Sequence, residues 1–370
     1  MILLNDFQRQ WEDTREASLA AFTAFGESGW YILGDEVKAF EEALARRWGM
    51  EHCVGVASGL DAIEICLRTL GCKPGDKVLT TPLSAFPTTL AAMKLGAVPV
   101  FVDTDEFGLI DLAACRAAIA AHPEIRFFVP VHLYGHALDM ECLCRLAAET
   151  GITTVEDCAQ SIGADYKGIA TGLAGRMAAT SFYPTKNLGA MGDGGAILTN
   201  NADYATEARM LRNYGQSAKY RHDVIGYNSR LDEIHACLLR RVLLERLPVW
   251  NERRRCVAAA YLKGIENPAI RPMGTPAGSN SCWHLFPVLV APERKTDFMA
   301  WLKSRQVACA EHYPIPIPDQ QALRGLPVEV FGGLEAARRI CGSEVSLPIH
   351  PYLQDKEVAQ VIGVCNAWRG

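Results

Sequence analysis

No stretch of this sequence has the apolar length needed to span a bilayer, so a membrane is not an expected partner. There is no excess of positive charge either. Lys and Arg number 37 against 42 Asp and Glu, a formal net charge of −5. That balance, with no extension carrying a basic stripe, argues against nucleic acid as the main partner. The opening residues, "MILLNDFQRQWEDTRE", hold acidic side chains and no apolar core of signal-peptide length, so the expected location is the cytoplasm. CxxC pairs are absent. The 13 cysteines are odd in number and scattered, which favours free buried thiols over a disulfide framework. "VHLYGHALDMECLC" gathers His132, His136, Cys142 and Cys144 but lacks a common zinc spacing. It reads as a strand end, a turn and a helix, and no metal is expected. Internal repeats and low-complexity linkers are missing too.

What remains is an ordinary globular composition, 49% hydrophobic and 21% charged, over 370 residues. That length supports a large core and two domains. "DEVKAFEEALARRW" repeats Val37, Phe40, Leu44 and Trp48 at helical spacing. Seven short apolar runs follow: "CVGVAS", "KVLTTP", "VPVFVD", "IRFFVPVH", "ITTVED", "ATSFYPT" and "AILTN". Helical patterns such as "LDAIEICLRTLG" separate most of them. Strands alternating with helices imply crossover units and a mostly parallel sheet covered on both faces. After about Leu244 the pattern changes to a long helix bent or broken at Pro248, a Pro/Gly-rich stretch, a strand-like "HLFPVLV", a helix, the Pro-rich "HYPIPIPDQ" and a final helix. The expected division is an N-terminal segment 1–25, a large domain 26–245 and a small α+β domain 246–370.

Ligands of open α/β sheets collect at the carboxyl ends of the strands. Here those ends carry Ser58 and Gly59 opening a helix, Phe86, Asp157 with Gln160 three residues on, Ser181, and Lys186 just before the glycines of "GAMGDGG". The set suits pyridoxal 5'-phosphate. Lys186 would form the Schiff base. Asp157 would keep the pyridine nitrogen protonated. The helix start at Ser58 and Gly59, with the Ser181 hydroxyl, would cup the phosphate. Phe86 could stack on the ring, and Gln160 could donate to the phenolic oxygen. Each feature has a plainer reading: Ser58 as a helix cap, Asp157 as a turn cap, Phe86 as core, Lys186 as a solvated cation.

The motifs "VASGLDAI", "PGDKVLTTP", "GAVPVFVD", "PVHLYGHALDM", "VEDCAQSIGADYKG", "SFYPTKNLGAMGDGG", "LRNYG" and "GYNSRLDE" spread over nearly the whole sequence. In them the chain resembles the DegT/DnrJ/EryC1/StrS sugar aminotransferases. The resemblance implies the fold type I architecture of PLP-dependent transferases: a large domain with a mostly parallel seven-stranded sheet flanked by helices, and a smaller C-terminal α+β domain. It also implies the cofactor roles given above for Lys186, Asp157, Gln160, Ser58, Gly59, Ser181 and Phe86. It implies a homodimer with shared active sites, in which Asn228 of "GYNSRLDE" reaches the partner's phosphate. Asn228 also has a local reading, in which "GYNSRLDE" is a plain helix start capped by Ser229 or Asp232.

The implied reaction moves an amino group from L-glutamate to a nucleotide-linked keto-deoxysugar, with dTDP the expected nucleotide and C3 of a 3-oxo-6-deoxyhexose the expected position. Alternatives are amination at C4, another PLP reaction on the same fold, and a non-catalytic regulator. A histidine in place of the lysine marks dehydratase relatives, so Lys186 favours transamination. Met191, His136 and Pro318 depart from the family pattern, as does "LSAFPTT", and leave the sugar open.

Overall fold

Seven of the eight strands in the central sheet are the seven apolar runs. They are His52–Val56, Lys77–Thr80, Val98–Val102, Ile125–Val129, Thr153–Asp157, Met177–Ser181 and Gly195–Thr199. The computed structural model describes all residues, Met1–Gly370. Alternate side chains of a strand point to opposite faces, and both faces are buried. Val54, Val56, Val155 and Ile197 pack with Ile63 of the helix Gly59–Thr69. Cys53, Ala178, Ala196 and Leu198 pack with Phe40 and Leu44 of the helix Asp35–Trp48. That second helix spans the predicted segment, and its predicted apolar stripe, Val37, Phe40, Leu44 and Trp48, is buried throughout.

The sheet is parallel except for Gly195–Thr199, which runs antiparallel to both neighbours. It also has one strand more than the seven expected. Glu329–Phe331 leaves the C-terminal region and pairs in parallel with Val98–Val102, closing one edge. At three residues, between Pro327 and Gly332, it is too short to show periodicity.

Beyond it, Arg271–Pro272, Phe286–Leu289 and Glu344–Leu347 form a small antiparallel sheet. Phe286, Val288 and Val345 bury one of its faces with Tyr261 and Phe298. Of the two expected outcomes at Pro248, bent or broken, the helical stretch is broken just before it. Pro248 lies in the first turn of Leu247–Gly264, where the missing N–H would have had no intrahelical partner. The preceding chain is a separate short helix, Glu233–Leu238, running into a π turn, Leu239–Leu243. Most of the N-terminal segment is helix, Phe7–Ser28, and Ile2 reaches the small domain to bridge Val307.

The "VHLYGHALDMECLC" side chains are spent separately. His132 Nδ1 accepts from the Leu138 N–H, so its Nε2 donates to Glu156 at 2.8 Å. Glu156 also accepts from the N–H groups of Gly172, Ala174 and Gly175. Within the buried group of His132, Glu156 and Cys158, His132 and Glu156 therefore brace that turn. His136 bonds Ser281, and Cys144 is exposed.

Candidate active site

The parallel strands end on one edge of the sheet, and the loops leaving there enclose a cavity of about 390 Å³. Ser58, Gly59, Asp157, Ser181 and Lys186, all named from the sequence, line it together.

Asp157 is the last residue of its strand and is buried. The Ala159 N–H donates to its Oδ1 at 3.0 Å, so it does cap its turn. Its Oδ2 accepts from the Thr88 hydroxyl at 2.8 Å. Because that proton is committed to Asp157, the 2.9 Å contact between Ser84 and Thr88 takes its proton from Ser84. A chain of hydroxyls thus fixes the carboxylate while it faces the cavity.

Lys186 follows a tight turn in which its own N–H bonds the Tyr183 carbonyl at 2.8 Å. Its amine has no hydrogen-bond partner within the chain. Burial pushes its pKa down to about 8, against the upward pull of Asp157. Lys295 is the instructive contrast. It is buried too, but its amine donates to the Cys341 carbonyl and pairs with Glu311. One lysine is consumed by structure; the other is available for chemistry.

Ser58 caps the helix Gly59–Thr69 by accepting from the Asp61 N–H at 3.1 Å. Ser181 Oγ accepts from the Tyr183 N–H at 3.2 Å. Each hydroxyl keeps its own proton to donate. The first N–H groups of the helix, at Gly59 and Leu60, have no carbonyl of a preceding turn to bond. Glycine is needed at 59 because a Cβ there would lie 2.7 Å from Ser181 Cβ. The result is a close cradle of donors at a helix N-terminus, suited to an anion.

Three predicted residues lie elsewhere. Phe86 does not line the cavity. It packs half-buried beside Phe101, Ile317, Leu323 and Leu334, and the face it was expected to cover is bordered by Ala85 and Pro87. It is the residue just before the helix Pro87–Lys94 and turns toward that apolar cluster. Gln160 is buried behind the cavity wall. Its Oε1 accepts from the Tyr134 N–H at 2.8 Å, and its Nε2 donates to the Tyr313 hydroxyl at 3.2 Å. Asn228 is exposed and outside this chain's own cavity. Of the two caps in the local reading, Asp232 does occupy the N-cap position of the helix Glu233–Leu238 but its side chain makes no cap bond, while Ser229 donates to Asp61 and accepts from the Ala57 N–H. Instead Glu233 caps the helix Asp35–Trp48, accepting from Gly34, Glu36 and Val37.

The sequence did not single out Thr88, Asp193, His284, His312 or Tyr313, which also line the cavity. The last three come from the small domain, far along the chain from any strand end of the large sheet. "HYPIPIPDQ" did carry a signal, a His-Tyr pair ahead of prolines, but it read as a loop. Both histidines are held neutral by burial and by the nearby Lys186 ammonium, His312 down to about 4 and His284 well below its usual range. Asn187 gives both amide protons to Asn251 and Cys282, so its oxygen accepts from His284 Nδ1 at 3.1 Å. The departures at Met191, His136 and Pro318 lie outside the lining. His136 packs edge-on against Trp283 and is pushed down to about 3 by burial.

Comparison with known proteins finds relatives along nearly the whole chain. The family model described as DegT/DnrJ/EryC1/StrS aminotransferase family matches residues 12–366. The dTDP-3-amino-3,4,6-trideoxy-alpha-D-glucose transaminase of Streptomyces venezuelae is 40% identical, covering 98% of this chain and 95% of that protein. The pleiotropic regulatory protein of Geobacillus stearothermophilus is 37% identical, covering 96% and 95%. Among solved structures, S. venezuelae DesV in complex with ketimine intermediate superposes with a TM-score of 0.94 at 39% identity, over 99% of this chain and 98% of that one.

Proposed function

The chain belongs to the DegT/DnrJ/EryC1/StrS aminotransferase family, whose enzymes depend on pyridoxal 5'-phosphate, and from that premise we propose that it carries an amino group from L-glutamate to C3 of a dTDP-linked 3-oxo-6-deoxyhexose. The observation that carries this reading is the meeting of an unpaired lysine, a fixed carboxylate and a helix N-terminus in one cavity. The cradle fits a phosphate monoester, and Asp157 and Lys186 fit the pyridine nitrogen and the aldehyde. When bound, the cofactor supplies an electron sink for the carbanion formed at the donor's Cα.

The chain's own residues do the rest. Ser58, Gly59 and Ser181 hold the phosphate. Asp157 holds a proton on the ring nitrogen. Lys186 would anchor the cofactor covalently, and its freed Nζ would carry the proton from the donor's Cα to the cofactor's C4′ carbon in one half and make the opposite transfer, from C4′ to the sugar carbon, in the other. Its lowered pKa leaves a useful fraction of neutral amine near neutral pH. Gln160 serves the cofactor's oxygen side by holding Tyr313 and the Tyr134 turn. The C3 position and the dTDP carrier rest on the 40% identical transaminase. The site is completed in a homodimer by the partner subunit's Asn228, in the cytoplasm. The domain division at 245/246 separates the cofactor cradle from the His284 and His312 wall.

A regulator is the second reading, favoured by the name of the 37% identical relative. The intact lysine and carboxylate weigh against it. Incubation with glutamate and a panel of dTDP- and UDP-linked 3-oxo and 4-oxo sugars, with products assigned by NMR, tests the proposal. A 3-amino sugar is expected. A 4-amino product overturns the position, and no amino transfer to any of these sugars overturns the activity.

A further inference from the structure

Behind the cavity wall, the strand Glu344–Leu347 presents two buried polar side chains to the back of His312. Glu344 and Ser346 both have no exposed surface. Ser346 Oγ donates to Glu344 Oε1 at 2.5 Å, and the backbone N–H of His312 donates to Glu344 Oε2 at 2.6 Å. Ser346 Oγ also lies 2.9 Å from His312 Nδ1. A hydroxyl has one proton. With that proton on the carboxylate, Ser346 can only accept from the ring, so Nδ1 carries hydrogen. His312 is neutral, so its Nε2 holds a lone pair. That Nε2 makes no bond within the chain and keeps accessible surface, on the side of the ring away from Ser346, where His312 lines the cavity. The loop is held from a second side, where the Tyr134 hydroxyl donates to the His312 carbonyl at 2.5 Å.

We propose that Glu344 and Ser346 are positioning residues that fix His312 as the Nδ1–H tautomer, so that Nε2 accepts a hydrogen bond from a hydroxyl of the keto sugar. This rests on the sugar aminotransferase reading. An acceptor nitrogen distinguishes the two substrates that must share the cavity. A sugar brings hydroxyl donors beside its carbonyl. The α-carboxylate of an amino acid brings only acceptors and gains nothing from it.

The same chain responds to a proton. Burial raises the Glu344 carboxyl to about 7, with Ser346, the His312 N–H and Lys295 pulling it down and Glu311 pushing it up. The phenols of Tyr134 and Tyr313 and the thiols of Cys309 and Cys341 also face it. Oε2 is occupied by the His312 N–H, so an added proton sits on Oε1 and donates to Ser346. Ser346 then donates to Nδ1, and the ring proton moves to Nε2. Above pH 7 His312 offers an acceptor to the cavity; between about 4 and 7 it offers a donor.

Nitrogen-15 NMR of histidine-labelled holoenzyme reads this directly, with His312 assigned by subtraction of a His312→Gln spectrum. The expected signal at pH 8.5 is the Nδ1–H tautomer, giving way to Nε2–H at pH 5.5. Nε2–H at pH 8.5 overturns the proposal whether or not the enzyme aminates sugars. The second measurement is Ser346→Ala in the two half-reactions. Loss of one neutral hydrogen bond predicts a sugar KM raised about fivefold more than the glutamate KM. Equal changes in both, with the tautomer unmoved, overturn the positioning role.

Discussion

Thr88 donates its hydroxyl proton to Asp157 across 2.8 Å, so the first turn of the helix Pro87–Lys94 aims the carboxylate at the end of a strand. Thr88→Val keeps the shape and removes that bond. The carboxylate keeps the Ala159 N–H but loses its second tether. Turnover is expected to fall about tenfold with KM for both substrates little changed. Thermal unfolding should move by only a few degrees. A wild-type rate in steady-state assays would show that Asp157 needs no orientation from this helix.

Asp157→Asn tests the carboxylate itself. The amide retains the turn cap on one side but no longer holds a proton on the ring nitrogen. The loss belongs in the chemical step, at least a hundredfold in single-turnover rate, while the melting temperature of the cofactor-free protein stays close to wild type. An equal loss of rate and stability would reduce Asp157 to a turn cap.

Lys186 has the most direct chemical signature. Borohydride should fix the cofactor on this lysine alone, and peptide mapping locates it. Lys186→Ala should abolish turnover while the phosphate cradle still retains cofactor. Attachment to stripped protein needs the neutral amine. With the lysine at about 8, the attachment rate should rise about tenfold per pH unit below 8 and level off above it. An ordinary lysine would keep rising toward 10.5, so a plateau near 8 distinguishes the two.

The large-domain half of the site was legible because strand ends concentrate it. Asp157 and Ser181 each end a strand and Ser58 lies two residues beyond one, where period and position can be read together. Phe86 was misplaced by one residue of loop geometry: Ala85 borders the cavity while Phe86 turns to Phe101 and Ile317. Periodicity fixes faces inside helices and strands and says nothing in a loop. His284, His312 and Tyr313 were missed because tertiary packing, not local pattern, carries them to the cavity. The Glu329–Phe331 strand was missed for the same reason, since its partner lies more than two hundred residues away.

Gly59→Ala probes the cradle without touching a catalytic group. Its Cβ would press on Ser181 at 2.7 Å, so the helix start and the strand end must part. Cofactor affinity should drop at least tenfold, measured by dialysis against free pyridoxal 5'-phosphate, and added cofactor should restore much of the rate. Unchanged affinity would place the phosphate away from this helix N-terminus.

Asn228 is exposed and stands apart from its own chain's cavity, where a residue lent to a partner subunit would be found. Exposed Val224 and Ile225 lie just before it. If the site is shared, two lesions in different chains can be sorted into one site. Mixing Lys186→Ala chains with Asn228→Trp chains, after dissociation and reassociation, should give mixed dimers with one doubly damaged site and one intact site. When the two chains are mixed equally, half of the dimers are mixed, each with one of its two sites intact, so about a quarter of wild-type activity should return. Each variant alone should be inactive or nearly so. If every site were built from a single chain, no pairing could yield an intact one, and activity would stay at the level of the two parents. Recovery above that level therefore requires that Lys186 of one chain work with the segment around Asn228 of the other.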